Sequence, residues 1–157
     1  MKNEPQTRRD FCRQACHALP AVGLSAAFAA TLQGCGGPGA PSNVPAAADV
    51  RGSVAGGTVT IAIDASSPLA PVGSGALVQT SAGRFLVART GADTFTALTS
   101  TCTNRSCTIT GYSSGRFICP CHGSNFDTSG NVLNGPATRA LRQYATRFAD
   151  GVLTITL

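Results

Sequence analysis

Cys102-Thr103-Asn104-Arg105-Ser106-Cys107 and Cys119-Pro120-Cys121-His122-Gly123-Ser124 gather four cysteines and a histidine into one short stretch, with eleven residues between the two groups. In the intervening segment Thr108-Ile109-Thr110 and Arg116-Phe117-Ile118 flank Tyr112-Ser113-Ser114-Gly115, which predicts two short strands joined by a turn. Antiparallel pairing of those strands sets the two cysteine loops side by side. Side chains distant in sequence can then close on one site, and thiolate with imidazole is a donor set for soft and borderline metals.

The same strand pattern extends outward in both directions. Thr58-Val59-Thr60-Ile61-Ala62-Ile63 alternates polar with apolar, the period of a half-buried strand. Ala76-Leu77-Val78 and Phe85-Leu86-Val87-Ala88 flank Ser81-Ala82-Gly83, a hairpin pattern, and Thr94 to Leu98 puts Phe95 and Ala97 on one face of a further strand. Asp150-Gly151 between Thr146-Arg147-Phe148 and the run from Val152 to Leu157 is a tight-turn signal. No stretch after residue 50 offers a sustained helical period, so the body is predicted to be all-β, built of many short strands without internal repeat.

With 157 residues, 43% of them hydrophobic, the chain is long enough for one domain plus a leader and apolar enough to bury a core. The net charge is +5, of which Lys2, Arg8, Arg9 and Arg13 against Glu4 and Asp10 contribute +2. The other arginines are scattered, with no basic run and no interleaved aromatics, which gives no support to a nucleic-acid role.

Thr7-Arg8-Arg9-Asp10-Phe11 resembles a twin-arginine export signal, and a weakly apolar stretch from Ala18 to Leu32 follows it. Leu32-Gln33-Gly34-Cys35 resembles a lipobox with Cys35 as the lipidated residue. Ala46-Ala47-Ala48 is an alternative cleavage site, and a leader retained as an anchor is a third outcome. Each places the folded part on the outer, periplasmic face of the cytoplasmic membrane, where disulfides persist. Cys12 and Cys16 belong to the leader. Residues 36–56 contain loosely ordered Gly, Pro, Ala and Ser and are expected to form a flexible tether. The predicted organisation is a leader over 1–35, a linker over 36–56 and a β domain over 57–157.

The paired cysteine boxes resemble those of the Rieske [2Fe-2S] proteins, whose first box reads Cys-x-His-x-x-Cys; here Asn104 stands at the histidine position. Gly135-Pro136-Ala137 resembles the loop that covers the cluster in that family. The resemblance implies an all-β Rieske-like domain of short antiparallel strands with a two-loop cluster-binding subdomain. It implies Cys102 and Cys119 as thiolate ligands of one iron, His122 as an imidazole ligand of the other, and a Cys107–Cys121 disulfide clamping the loops. Ser124 matches the serine that hydrogen-bonds a cluster sulfur, and Phe126 stands where high-potential members have tyrosine. The implied function is single-electron transfer, without a catalytic site of the chain's own. The chain would act as a membrane-tethered carrier or as a small subunit of a respiratory oxidoreductase, serving a redox partner or a quinol-oxidising complex.

The residues also admit other arrangements. Four cysteines can hold zinc, or can form two disulfides in a cluster-free module with a binding or scaffolding role. Asn104 or water can complete a labile cluster, or Cys107 can supply a third thiolate in place of the disulfide. His17, the second histidine of the chain, lies in the leader.

Overall fold

The computed structural model describes residues 43–157. The twin-arginine segment, the apolar stretch, Cys35 and linker residues 36–42 lie outside the described residues. Twelve strands follow in chain order, and no helix occurs among the described residues: β1 (Ala48–Arg51), β2 (Ser53–Ala55), β3 (Thr58–Ala62), β4 (Gly75–Thr80), β5 (Gly83–Arg89), β6 (Phe95–Thr99), β7 (Gly111–Ser113), β8 (Arg116–Ile118), β9 (Asn125–Asp127), β10 (Val132–Asn134), β11 (Gln143–Ala149) and β12 (Val152–Thr156).

Eight strands form one sheet in the order β1-β4-β5-β6-β11-β12-β3-β2. The two outermost strands are consecutive in sequence, separated only by Gly52, so one stretch of chain pairs with both edges and closes the sheet on itself. Every pairing is antiparallel except β1 with β4. Gly52 continues the ladder by donating its N–H to Gln79 O at 3.0 Å. A Cβ at Gly52 would stand 2.9 Å from Val59 Cγ1, so the join tolerates no side chain without displacing a core valine. Residues 48–55 are therefore ladder, not linker, which corrects the expected tether over 36–56. Ala48-Asp49-Val50-Arg51 has the composition of a loop, and its strand form is imposed by the two edges it joins.

Four further strands form a second sheet, β10-β9-β8-β7, which holds the cysteine loops. Tyr112 and Ser113, expected in the turn, are strand residues of β7, and the turn is Ser114-Gly115, with φ of 50° and 74°. Positive φ at both central residues is the twist-compatible geometry of a two-residue hairpin. Thr108 makes only an isolated bridge to Thr101, and the backbone N–H of Ile109 is satisfied by Ser100 O.

The continuous apolar runs of β4 and β5 are explained by burial on both faces. Ala76, Val78, Phe85 and Val87 join Val59, Ile61, Leu153 and Ile155 in the core of the eight-stranded sheet. Leu77, Leu86 and Leu98 form one rung on the opposite face and pack with Ile109, Phe117 and Phe126 of the cysteine-loop subdomain. Each of these leucines is at most 6% exposed, worth about 2 kcal/mol apiece in area removed from water.

Two further contacts fasten the subdomain. Tyr112 donates its hydroxyl to Gly73 O at 2.8 Å and lays its ring where a Cβ of Gly75 would be. Residues 44–47 run beside β7: Tyr112 N–H donates to Pro45 O (3.0 Å) and Ala47 N–H to Thr110 O (2.7 Å), with Val44 packed on Gly111. Gly75→Val is expected to displace the Tyr112 ring and lower stability by about 1–3 kcal/mol, read as a lower urea midpoint. Tyr112→Phe, which keeps the ring and loses only the hydrogen bond, is expected to lose about 1 kcal/mol.

Candidate metal centre

Each cysteine box is a loop closed by the same two backbone hydrogen bonds. In the first, Cys102 N–H donates to Cys107 O at 2.8 Å and Ser106 N–H donates to Cys102 O at 3.0 Å. In the second, Cys119 N–H donates to Ser124 O at 2.9 Å and Gly123 N–H donates to Cys119 O at 3.0 Å. Ser106 and Gly123 occupy equivalent places and both have positive φ, 56° and 75°. Glycine adopts that region freely, whereas serine is held there by the loop's closure. The boxes are thus two copies of one backbone turn, presented from the ends of neighbouring strands.

Cys107 and Cys121 are joined by a disulfide that links the two loops. Cys102 and Cys119 are free, 2% and 1% exposed, and sit in the core shared with Phe117 and Phe126. The Cys119 sulfur also lies within 4.8 Å of both disulfide sulfurs. Burial pushes the Cys119 thiol up, and its hydrogen bond and charge interaction with the Cys102 thiol push the same way. The backbone N–H groups of Cys121, the stronger influence, and His122 pull it down by donating to the sulfur.

Thiolates buried side by side repel, and a cation between them removes that repulsion. With two amide donors already aimed at one sulfur, the pair suits a metal held by both thiolates. With the disulfide in place, Cys107 is not available as a third thiolate, and only two free cysteines remain for zinc among the described residues.

The other expected site residues lie on the same loops. His122 is exposed on the second box, and Asn104 is half-buried on the first. Ser124 is fully buried; its Oγ accepts the Ala137 N–H at 3.0 Å, which ties the 135–137 loop to the second box. Its hydroxyl proton has no acceptor among the described residues, which leaves it free for a sulfur of a bound group. Phe126 is fully buried, with no hydroxyl to offer.

The residues fit the thiolate half of a [2Fe-2S] cluster. In the imidazole half His122 fits, while the Asn104 amide oxygen is a neutral, hard donor poorly matched to that iron. His122 is the only histidine among the described residues.

Sequence reading did not reveal that Thr103 Oγ1 donates to Arg139 O at 2.7 Å. This bond joins the first box to the segment after the 135–137 loop. A hydroxyl–carbonyl contact between residues so far apart has no periodic signature.

A family model, the Rieske [2Fe-2S] domain, matches residues 60–145, more than half of the chain. The cytochrome b6-f complex iron-sulfur subunit of Chlorobaculum tepidum is 28% identical over 88 residues, covering 55% of this chain and 48% of that protein. The subunit of the same name from Cyanothece sp. is 38% identical over 60 residues, covering 38% of this chain and 34% of the relative. The matches therefore span less than half the length of these curated relatives. The crystal structure of the cyanobacterial plasma membrane Rieske protein from Synechocystis PCC 6803 is similar at 32% identity, covering 53% of this chain and 86% of that one, with a TM-score of 0.48.

Proposed function

The chain belongs to the Rieske [2Fe-2S] domain family, and on that premise we propose that it transfers single electrons as a membrane-tethered carrier or small subunit of a respiratory oxidoreductase. Quinol oxidation is one role open to such a subunit. The observation that carries this reading is the buried Cys102–Cys119 thiol pair, on matched loops clamped by the Cys107–Cys121 disulfide. The relatives named as cytochrome b6-f iron-sulfur subunits support a place in an oxidoreductase complex.

When bound, a [2Fe-2S] cluster supplies a one-electron couple. Cys102 and Cys119 would hold one iron as thiolates, and His122 would offer an imidazole nitrogen to the other, with Asn104 near the remaining position. The amide donors on the Cys119 sulfur and the Ser124 hydroxyl would withdraw electron density from a bound cluster, which would favour its reduced state and raise the potential. Phe126 adds no such bond, so the potential is expected to lie below that of a member with a tyrosine there. His122 is exposed, so the imidazole side of a bound cluster would face water.

The proposal includes export by the twin-arginine route to the periplasmic face, with the membrane tether formed by lipidation at Cys35 or by a retained leader. The leader motifs Arg8-Arg9 and Gly34-Cys35 support it.

The test is iron and sulfide analysis of the natively exported protein, purified without oxygen. About two irons and two sulfides per chain and a brown colour are expected. A colourless, iron-free preparation would remove the electron-transfer reading. Asn104→His supplies the missing imidazole and is expected to slow iron loss to a chelator by about tenfold or more. Unchanged loss would place the weakness of the site elsewhere.

A further inference from the structure

Among the described residues the formal charges are eight arginines and five aspartates, with neither lysine nor glutamate. Three of the five aspartates accept hydrogen bonds locally: Asp64 from Ser66, Asp127 from Ser129 and Asn131, and Asp49 from Gln79. Arginines instead gather beside the thiol pair. A cleft of about 410 Å3 opens between the first cysteine box and residues 139–142, walled by Cys102, Thr103, Asn104, Ser106, Arg139 and Arg142. Among the described residues no carboxylate lines it. Arg105 is exposed on the same loop.

The walls are held in place. Thr103 Oγ1 donates to Arg139 O, and Thr99 N–H donates to Arg142 O at 2.9 Å, which pins the cleft to both the cysteine loop and β6. The Arg142 guanidinium carbon stands 4.7 Å over the Tyr144 ring, so the cation is positioned by stacking and not by a counter-charge.

We propose that this cleft docks an acidic protein partner, with a partner carboxylate seated between Arg139 and Arg142 beside the Cys102–Asn104 segment. Guanidinium groups present N–H donors and no acceptor, and arginine engages carboxylates through paired N–H groups. The positive field also speeds encounter with a negative surface. A nucleic-acid strand would need an open aromatic face on which bases stack, and Arg142 already covers Tyr144. Because Cys102 lines both the cleft and the thiol pair, a partner seated here meets the chain next to a cluster ligand. That last step rests on the electron-transfer reading; the docking does not.

The experiment titrates fluorescein-labelled hexaglutamate into the full chain at low ionic strength and follows anisotropy. Saturable binding is expected, weakening by about tenfold or more between ~0.02 M and ~0.2 M salt. Arg139→Glu with Arg142→Glu should abolish it, and Arg139→Gln with Arg142→Gln should remove most of it without introducing acidic charge. Arg51→Glu with Arg147→Glu changes the net charge equally but lies in the eight-stranded sheet, and should leave binding within about twofold. The proposal is overturned by absence of saturable binding, by equal loss in both charge-reversed pairs, or by tighter binding of an oligothymidylate than of hexaglutamate. Normal iron content without peptide binding would remove the docking site alone. Peptide binding by an iron-free chain would keep the docking site and remove the electron-transfer reading.

Discussion

Cys102→Ser combined with Cys119→Ser is expected to give a folded, colourless protein whose iron falls from about two per chain to nearly none. Serine is close to cysteine in size, and both sites are buried, so the substitution removes the thiolates with little change of volume. Burying two hydroxyls in place of thiols lowers stability by about 1–3 kcal/mol each when they find no partner. The eight-stranded sheet has its own core of Val59, Ile61, Val78, Val87, Leu153 and Ile155, which does not include either cysteine. Far-UV circular dichroism should therefore keep its β signature while the visible absorption disappears. Full iron content in the double variant would overturn the assignment of these two residues as ligands.

Cys107→Ser combined with Cys121→Ser is expected to act mainly on stability. The disulfide closes a loop between residues 14 positions apart, and a closure of that length is worth about 3 kcal/mol through the entropy of the unfolded chain. Without it the two boxes are joined only through β7, β8 and their shared packing. The urea midpoint should fall accordingly, and iron should leave faster because the loops separate more readily. An unchanged midpoint would mean that the packing of Phe117 and Phe126 already holds the boxes together. The two double variants also separate the roles of the four cysteines: one removes iron at nearly constant fold, the other destabilises the fold with the thiol pair intact.

The legible parts of the chain share one property, a signal confined to neighbouring residues. Val59 and Ile61 face the core and Thr60 faces solvent, as their alternation indicates. Asp150 and Gly151 have positive φ of 52° and 72° in the turn between β11 and β12, where the dipeptide was expected to turn. The hairpin across Ser81-Ala82-Gly83 pairs Thr80 with Gly83 and keeps register to Gly75 and Ala88. The parts that sequence reading missed depend on distant partners. Ala48–Arg51 is a strand because β4 offers it an edge, and Ser53–Ala55 because β3 does. Asn125–Asp127 and Val132–Asn134 are three residues each, too short for a period to appear, and they are strands because they extend the sheet begun by β8.

The cysteine boxes divide in the same way. Residue type and spacing alone placed Cys102, Cys107, Cys119, Cys121 and His122 on paired loops, and the resemblance to the Rieske boxes marked Asn104 as the departure from their pattern. Only the tertiary structure decided the environment of each group: two thiols buried in contact, His122 at the surface, the Ser124 hydroxyl fastening the 135–137 loop, and Arg139 and Arg142 walling a cleft beside Cys102. The reason is physical. Donor identity and turn chemistry are properties of short segments, whereas burial, proton affinity and charge proximity depend on which segments the closed sheet brings together.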